Sequence, residues 1–339
     1  MARVLPAFSA PDAAAAVAEA TRLLRAGEVV ALPTETVYGL AANAWDAAAV
    51  RRIYAAKGRP STNPLIVHVA DEVMLTQCVT HWPAGAVALA RAFWPGPLTL
   101  VLPANVARVP TEVRAGGPTV AVRWPAHPLM QAVIRACGFP LAAPSANLSN
   151  AISPTTAEHV RAGLDGRIPL IVDGGPSSVG IESTVVDCTG AGPVVLRPGA
   201  ISEDDVQRVW AGEKNGRDGR DERQAGAALR SPGQLAKHYA PRVPLAIFTW
   251  TDDADLRRQL AARGWDAAGT YVIAYQQVPE FGGFFRVEEL PAEARGYARV
   301  LYAALHRADE AGAAHIVVEA PPAPLAWAGV RDRLGRAAS

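Results

Sequence analysis

The sequence predicts a mixed α/β (α+β) protein of two domains, and three observations carry that prediction. Short apolar runs bounded by Pro or Gly recur through about the first two hundred residues, interleaved with segments of helical period. A Gly-rich, charged stretch, "AGEKNGRDGRDERQAGAALRSPG" (211–233), then interrupts them without any apolar period. Beyond it, strand-like runs alternate with helical stretches, the pattern of a small open α/β sheet. The expected divisions are 1–210, a linker or lid segment 211–241, and 242–339.

In chain order, "PDAAAAVAEATRLLRA" (11–26) is rich in helix formers and stops at Gly27. "EVVALP" is a short strand. Asp46 caps a helix in which Val50, Ile53 and Tyr54 form an i, i+3, i+4 stripe, and Gly58 ends it, leaving Lys57 at the helix end. Strand-like runs follow at 64–70, 97–102, 119–124, 169–173, 183–188 and 193–197. Between them, 83–93, 126–137 and 154–163 read as helices, the last with Ser153 as N-cap and Pro154 as N1. A short helix is expected near 202–210. Past the linker, strands at 244–250, 269–275 and 314–320 alternate with helices near 253–263, 291–311 and 324–335.

Composition narrows the function classes. Half of the 339 residues are hydrophobic, and 33 Lys and Arg nearly cancel 32 Asp and Glu. No global field therefore advertises a nucleic-acid or membrane partner, and polyanion chemistry must rest on local clusters. Cys78, Cys137 and Cys188 are an odd number without C-x-x-C spacing, which argues for buried free thiols. No long uncharged apolar stretch and no cleavable leader pattern is visible, so a cytoplasmic location is expected.

The G-x-x-x-x-G-K-[ST], G-x-G-x-x-G and H-E-x-x-H signatures are missing. Four cations stand out because each adjoins a strand-like run or a Pro/Gly turn: Lys57, Arg59, Arg123 and Arg197. Arg123, after Val120 and Val122 and before Trp124, ends an apolar segment where burial without an anion would be costly. That anion is either a ligand's or an internal Asp or Glu. Thr34, Thr36, Ser145, Asn147, Ser153, Ser183 and Thr184 punctuate the same half, as hydrogen-bonding groups for phosphate, ribose or an amino-acid head, or simply as turn formers and caps. His68, between Val67 and Val69, reads first as a core histidine.

These residues carry a resemblance. "PTETVYGL" (33–40), "KGRPSTNPLIVHV" (57–69), "WPGPLT" (94–99), "TVAVRWPAHP" (119–128), "APSANLS" (143–149) with "SPT" (153–155), "ESTVVD" (182–187) and "LRPG" (196–199) resemble the YrdC-type threonylcarbamoyl-AMP synthases, in matching order over about residues 12–205. "SPGQLAKHYAP" (231–241) is similar to the segment that leads to a C-terminal domain in the family's long form. Two departures are Ala41, where glycine is usual, expected to stiffen a turn, and Gln234–Ala236 in place of a Met-x-Tyr.

The resemblance implies a YrdC-like twisted mixed sheet followed by a smaller Rossmann-like domain. It implies a nucleotidyltransferase that converts L-threonine, bicarbonate and ATP to threonylcarbamoyl-AMP and pyrophosphate, with Mg2+ on the ATP phosphates and no dedicated protein metal site. A partner transferase then modifies tRNA. Carried over by position, Lys57, Arg59 and Asn63 meet the phosphates, the first two as catalytic groups. Thr119, Ser145, Asn147, Ser153, Arg197 and Tyr239 hold the rest of ATP, Tyr239 reaching in from the linker. Thr36, His68, Arg123, Ala143 through its backbone, and Ser183 hold threonine. The rival readings are a carbamoyl-adenylate-type transferase, whose usual extra Cys- or His-rich domains have no counterpart here, and a double-stranded RNA-binding module.

Overall fold

Apolar runs of three to six residues cannot bury themselves, and in a computed structural model they join edge to edge. The structure describes residues 1–212, 238–280 and 282–338. One unit comprises Met1–Ser149 and the described residues from Ser153 to 212; the other comprises Asn150–Ile152 and the described residues from 238. Most of the expected linker, and the Gln234–Ala236 departure, lie outside the described residues.

The first unit is built on ten strands: β1 (Arg3–Pro6), β2 (Val30–Leu32), β3 (Gly39–Asn43), β4 (Ile66–His68), β5 (Leu98–Pro103), β6 (Thr119–Arg123), β7 (Leu141–Ala142), β8 (Leu170–Asp173), β9 (Thr184–Asp187) and β10 (Val194–Arg197). They form one sheet in the order β1-β8-β2-β3-β7-β4-β6-β5-β9-β10. The sheet is mixed: β4 runs parallel to β6 and β5 to β9, while β6 and β5, and β9 and β10, are antiparallel. Its core strands carry Leu32, Leu40, Leu100, Val122 and Leu141 at zero exposure, and burial of side chains of this size is worth about 1.5–3 kcal/mol each. Helix Ala10–Arg25, capped by Ser9, packs against helix Pro128–Cys137, and Ala84–Phe93 packs against Glu203–Gly212.

Two expectations are corrected. The helix expected from Ser153 begins later, at Ala157, because Thr156 supplies the cap, its hydroxyl accepting from the His159 amide. Ala41 does not sit in a turn: it is fully buried in β3, opposite Val30, with ordinary extended backbone.

The second unit holds β11 (Leu245–Phe248), β12 (Thr270–Ala274), β13 (Arg286–Glu289) and β14 (His315–Glu319) as an all-parallel sheet in the order β11-β14-β12-β13. Helices Asp253–Ala262, Ala294–Glu310 and Ala328–Ala337 accompany it, as the alternating pattern requires. At the end of β14 the Glu319 carboxylate accepts the backbone N–H groups of Tyr275 (2.7 Å), Gln276 (2.9 Å) and Gln277 (3.1 Å), which follow β12. The chain's own carboxylate thus occupies amides at the carboxyl ends of the strands, where open α/β sheets commonly receive a ligand anion.

Candidate active site

The helix Ala47–Lys57 is started by Asp46, whose carboxylate accepts from the amides of Ala48 and Ala49, and is ended by Gly58 in the left-handed region at φ +60°. That reversal leaves Lys57 buried at 2 % exposure. Its ammonium donates to the Ser145 carbonyl (2.6 Å), the Asn147 carbonyl (2.5 Å) and the Asn147 side-chain oxygen (3.3 Å), matching its three donors. Burial, and then the neighbouring Arg59 charge, push the ammonium well below the usual lysine range, against an opposing pull from Glu182. Arg59, also buried, donates through Nε to the Asn63 carbonyl (3.2 Å) and through Nη2 to the Pro64 carbonyl (3.0 Å). The guanidinium thereby folds its own loop around itself. Asn63 is 2 % exposed, yet neither polar atom of its side chain has a hydrogen-bond partner.

A second group gathers where β4 meets β6. Their parallel register sets His68 beside Arg123. The Arg123 guanidinium donates to the Gly96 carbonyl (3.2 Å), the Thr36 hydroxyl (2.9 Å) and Glu35 Oε1 (2.6 Å), so the anion demanded by its burial is an internal one. Three of its five N–H donors are engaged, leaving two. Thr36 is fixed in turn by a 2.9 Å hydroxyl contact with Thr34. Glu35 is 6 % exposed, and its Oε2 completes no hydrogen bond. Burial pushes this carboxyl up, but the charge and hydrogen bond of Arg123, with a smaller pull from the Ala126 and Glu35 backbone amides, hold it below the usual range. His68 is pushed down to about 3 by burial and then by Arg123, Glu35 opposing, so at neutral pH it is an uncharged ring whose Nδ1 has no partner.

The third group belongs to β9, β10 and the turns before and after them. Arg197 donates twice to the Ser183 carbonyl (3.1 and 3.0 Å) and once to the Ser183 hydroxyl (3.1 Å), which meets the Thr99 hydroxyl at 2.7 Å. The approach depends on Gly199 in "LRPG": a Cβ there would lie 2.4 Å from the Thr184 nitrogen. Ser153, released from the capping role, donates to Glu182 at 2.5 Å inside the unit.

Backbone hydrogen bonds tie these groups together. The Tyr38 amide donates to the Pro154 carbonyl (2.8 Å), the Ala146 amide to the Tyr38 carbonyl (2.8 Å), and the Ala143 amide to the Ile66 carbonyl (3.0 Å). Segments 34–38, 143–147 and 153–154 therefore lie side by side, next to the end of β4. The Ala143 amide is committed to this frame, so a role for that residue's backbone falls to its carbonyl. Thr119 stands half-buried at the start of β6, opposite Pro103, with Arg123 at the strand's other end. Tyr239 belongs to the second unit, at φ +62°, with Tyr302 at 5.8 Å between ring centroids and the Arg333 guanidinium 5.3 Å over its ring; its assignment to ATP stays with the resemblance.

Sequence reasoning missed Glu35, Glu182 and Thr99 as partners, although all three stand inside the quoted motifs. Cys78, Cys137 and Cys188 are buried and free of disulfides; burial lifts Cys78 to about 12 and Cys137 to about 11, which leaves no ready thiolate. Among the described residues no group of three His, Cys, Asp or Glu forms a metal cage, and no helix is long and apolar enough to cross a membrane.

The first unit thus buries four cations, Lys57, Arg59, Arg123 and Arg197, together with polar side-chain atoms of Glu35, Asn63 and His68 that have no hydrogen-bond partner, a combination suited to anionic ligands. Residues 22–199 match the family model described as telomere recombination, which groups Sua5, YciO and YrdC, and residues 201–339 match the threonylcarbamoyl-AMP synthase C-terminal domain. The chain belongs to this family of adenylyl-transferring enzymes, the threonylcarbamoyl-AMP synthases, in its two-domain form. The threonylcarbamoyl-AMP synthase of Bacillus subtilis is 43% identical over 327 residues, 95% of this chain and 92% of that protein. That of Pyrococcus abyssi is 45% identical over 228 residues, 67% of this chain and 66% of that protein. Among solved structures, P. abyssi Sua5 complexed with L-threonine superposes with a TM-score of 0.85 at 35% identity, covering 99% of this chain and 97% of that one.

Proposed function

We propose that the first unit condenses L-threonine, bicarbonate and ATP to threonylcarbamoyl-AMP and pyrophosphate, and that a partner transferase carries the threonylcarbamoyl group to tRNA in the cytoplasm. The observation that supports this reading is the burial of Lys57 at a helix end, Arg59 in the loop after it, and Arg123 and Arg197 on strands of the same unit, accompanied by the unpaired side-chain atoms of Asn63 and His68. Polar atoms left this way cost about 1–3 kcal/mol each, a cost a bound ligand removes. Threonine's free amine forms a carbamate, with bicarbonate by loss of water or with CO2 by loss of a proton. The carbamate oxygen attacks the α-phosphorus and pyrophosphate leaves, so no covalent enzyme nucleophile is needed. What the chain supplies is alignment of two mutually repelling anions.

In this reading Arg59 and the free Asn63 amide meet the phosphates, and the two remaining N–H groups of Arg123 receive the threonine carboxylate. Neutral His68 contributes a hydrogen bond rather than a proton. Lys57, with its donors occupied, acts by fixing the 145–147 segment and by its charge. Ser145, Asn147, Ser153, Thr119 and Arg197 complete the ATP site, and Thr36, Ala143 and Ser183 the threonine site. Magnesium would enter with the triphosphate, whose oxygens are the hard ligands that ion prefers.

The test is pyrophosphate release from ATP, Mg2+ and bicarbonate with and without L-threonine. Threonine-dependent release is expected. Release without threonine would point to another acceptor, and none, with salt-sensitive binding of duplex RNA, to a binding module.

A further inference from the structure

We infer that Glu35 is the residue that recognises the α-amino group of the amino-acid substrate, its Oε2 accepting from the ammonium while its Oε1 keeps Arg123. The inference rests on the reading just given, that Arg123 receives the substrate carboxylate.

Glu35 is buried, and a carboxylate presents about four lone-pair sites. Oε1 is used by the Arg123 guanidinium at 2.6 Å, whereas Oε2 completes no hydrogen bond of good geometry, the Ala126 and Glu35 backbone amides exerting only a weak pull on the carboxylate. A buried carboxylate oxygen left bare is among the costlier defects a fold can carry, and Thr34 and Thr36, the hydroxyls beside it in sequence, are turned to one another and to Arg123 instead. The site thus contains a cation with spare donors directly bonded to an anion with a spare acceptor.

A zwitterionic α-amino acid carries the complementary pair on one carbon. Its carboxylate suits the spare N–H groups of Arg123, and its ammonium then falls beside Oε2. A hydroxy acid of the same size offers nothing to that oxygen. Glu35 therefore selects amino acids over their deaminated analogues. It is unsuited to act as the base: a carboxylate held low by its guanidinium neighbour is a weak proton acceptor from an ammonium.

The test compares the full chain with its Glu35→Gln and Glu35→Asp variants by calorimetric titration against L-threonine and against 3-hydroxybutanoate, which lacks only the amine. The unaltered chain is expected to prefer threonine strongly. Glu35→Gln is expected to weaken threonine about 10- to 100-fold while 3-hydroxybutanoate binds as before or tighter, since a hydrogen bond to a charged group is lost and Arg123 is released. Glu35→Asp is expected to restore part of the preference. Equal weakening of both ligands, or threonine binding untouched in Glu35→Gln, would overturn the inference and leave the proposed reaction standing. If the unaltered chain bound neither ligand, both would fall. Thermal melting of each variant, read alongside, separates lost recognition from lost folding.

Discussion

Lys57 reaches Asn147 twice, at the backbone carbonyl and at the side-chain oxygen, across 90 residues of sequence. A buried ammonium with all its donors spent on a loop is a brace as much as a charge. Replacing it with methionine strands the Ser145 and Asn147 oxygens, at about 1–3 kcal/mol each, but also removes a buried charge whose desolvation costs several kcal/mol. The two effects nearly cancel. Lys57→Met is therefore expected to unfold in urea within about 1–2 kcal/mol of the parent while ATP affinity falls at least about 100-fold, measured by calorimetry.

Arg59 makes a different demand. Its planar fork holds the Asn63 and Pro64 carbonyls from two nitrogens at once, a geometry lysine does not reproduce. Arg59→Ala is expected to abolish adenylate formation with the fold intact, and Arg59→Lys to recover little of it despite keeping the charge. Threonine-dependent pyrophosphate release by Arg59→Lys within about threefold of the parent would contradict this geometric role.

His68 predicts an acid sensitivity with a defined sign. In the folded chain it stays neutral down to about 3, whereas an unfolded histidine takes up a proton near 6.5. Between those values the unfolded state binds the extra proton, so stability falls as pH falls through that window and is fully present above it. His68→Asn, which cannot titrate, is expected to flatten the part of the urea-midpoint profile between pH 6.5 and about 4 that the parent shows.

Glu319 predicts a local effect in the second unit. Its carboxylate satisfies three consecutive amides, and glutamine presents an NH2 where one of those oxygens stood. Glu319→Gln is expected to cost about 1–3 kcal/mol and Glu319→Ala more, with amide exchange at 275–277 accelerated at least about tenfold. Unchanged protection there would remove the carboxylate from its anchoring role.

Sequence pattern exposed the strands that carry a run of apolar side chains bounded by Pro or Gly, and concealed those too short, too charged or too rich in small residues to show one. β4, β5, β6, β8, β9 and β10 lie within apolar runs of the expected place. β1, largely exposed, β13, with three charged residues in four, β7, two residues long, and β3, mostly glycine and alanine with one leucine, take their identity from register instead. At the site, position along the chain indicated that Arg123 needs an anion but not which one, because Glu35 stands 88 residues away. Ser153 followed by proline has every local mark of a helix start; the decisive competitor, Glu182, is 29 residues on.

The three residues Asn150–Ile152 cluster with the second unit, Ala151 bridging to Ala240 and the Ala240 amide donating to the Asn150 carbonyl. The second unit thus draws its residues from two separate stretches of the chain, the first long before the second. No single scission can cleanly sever the two: an amino-terminal fragment ending at residue 212 keeps a tripeptide whose mate it has lost, and the complementary fragment lacks it.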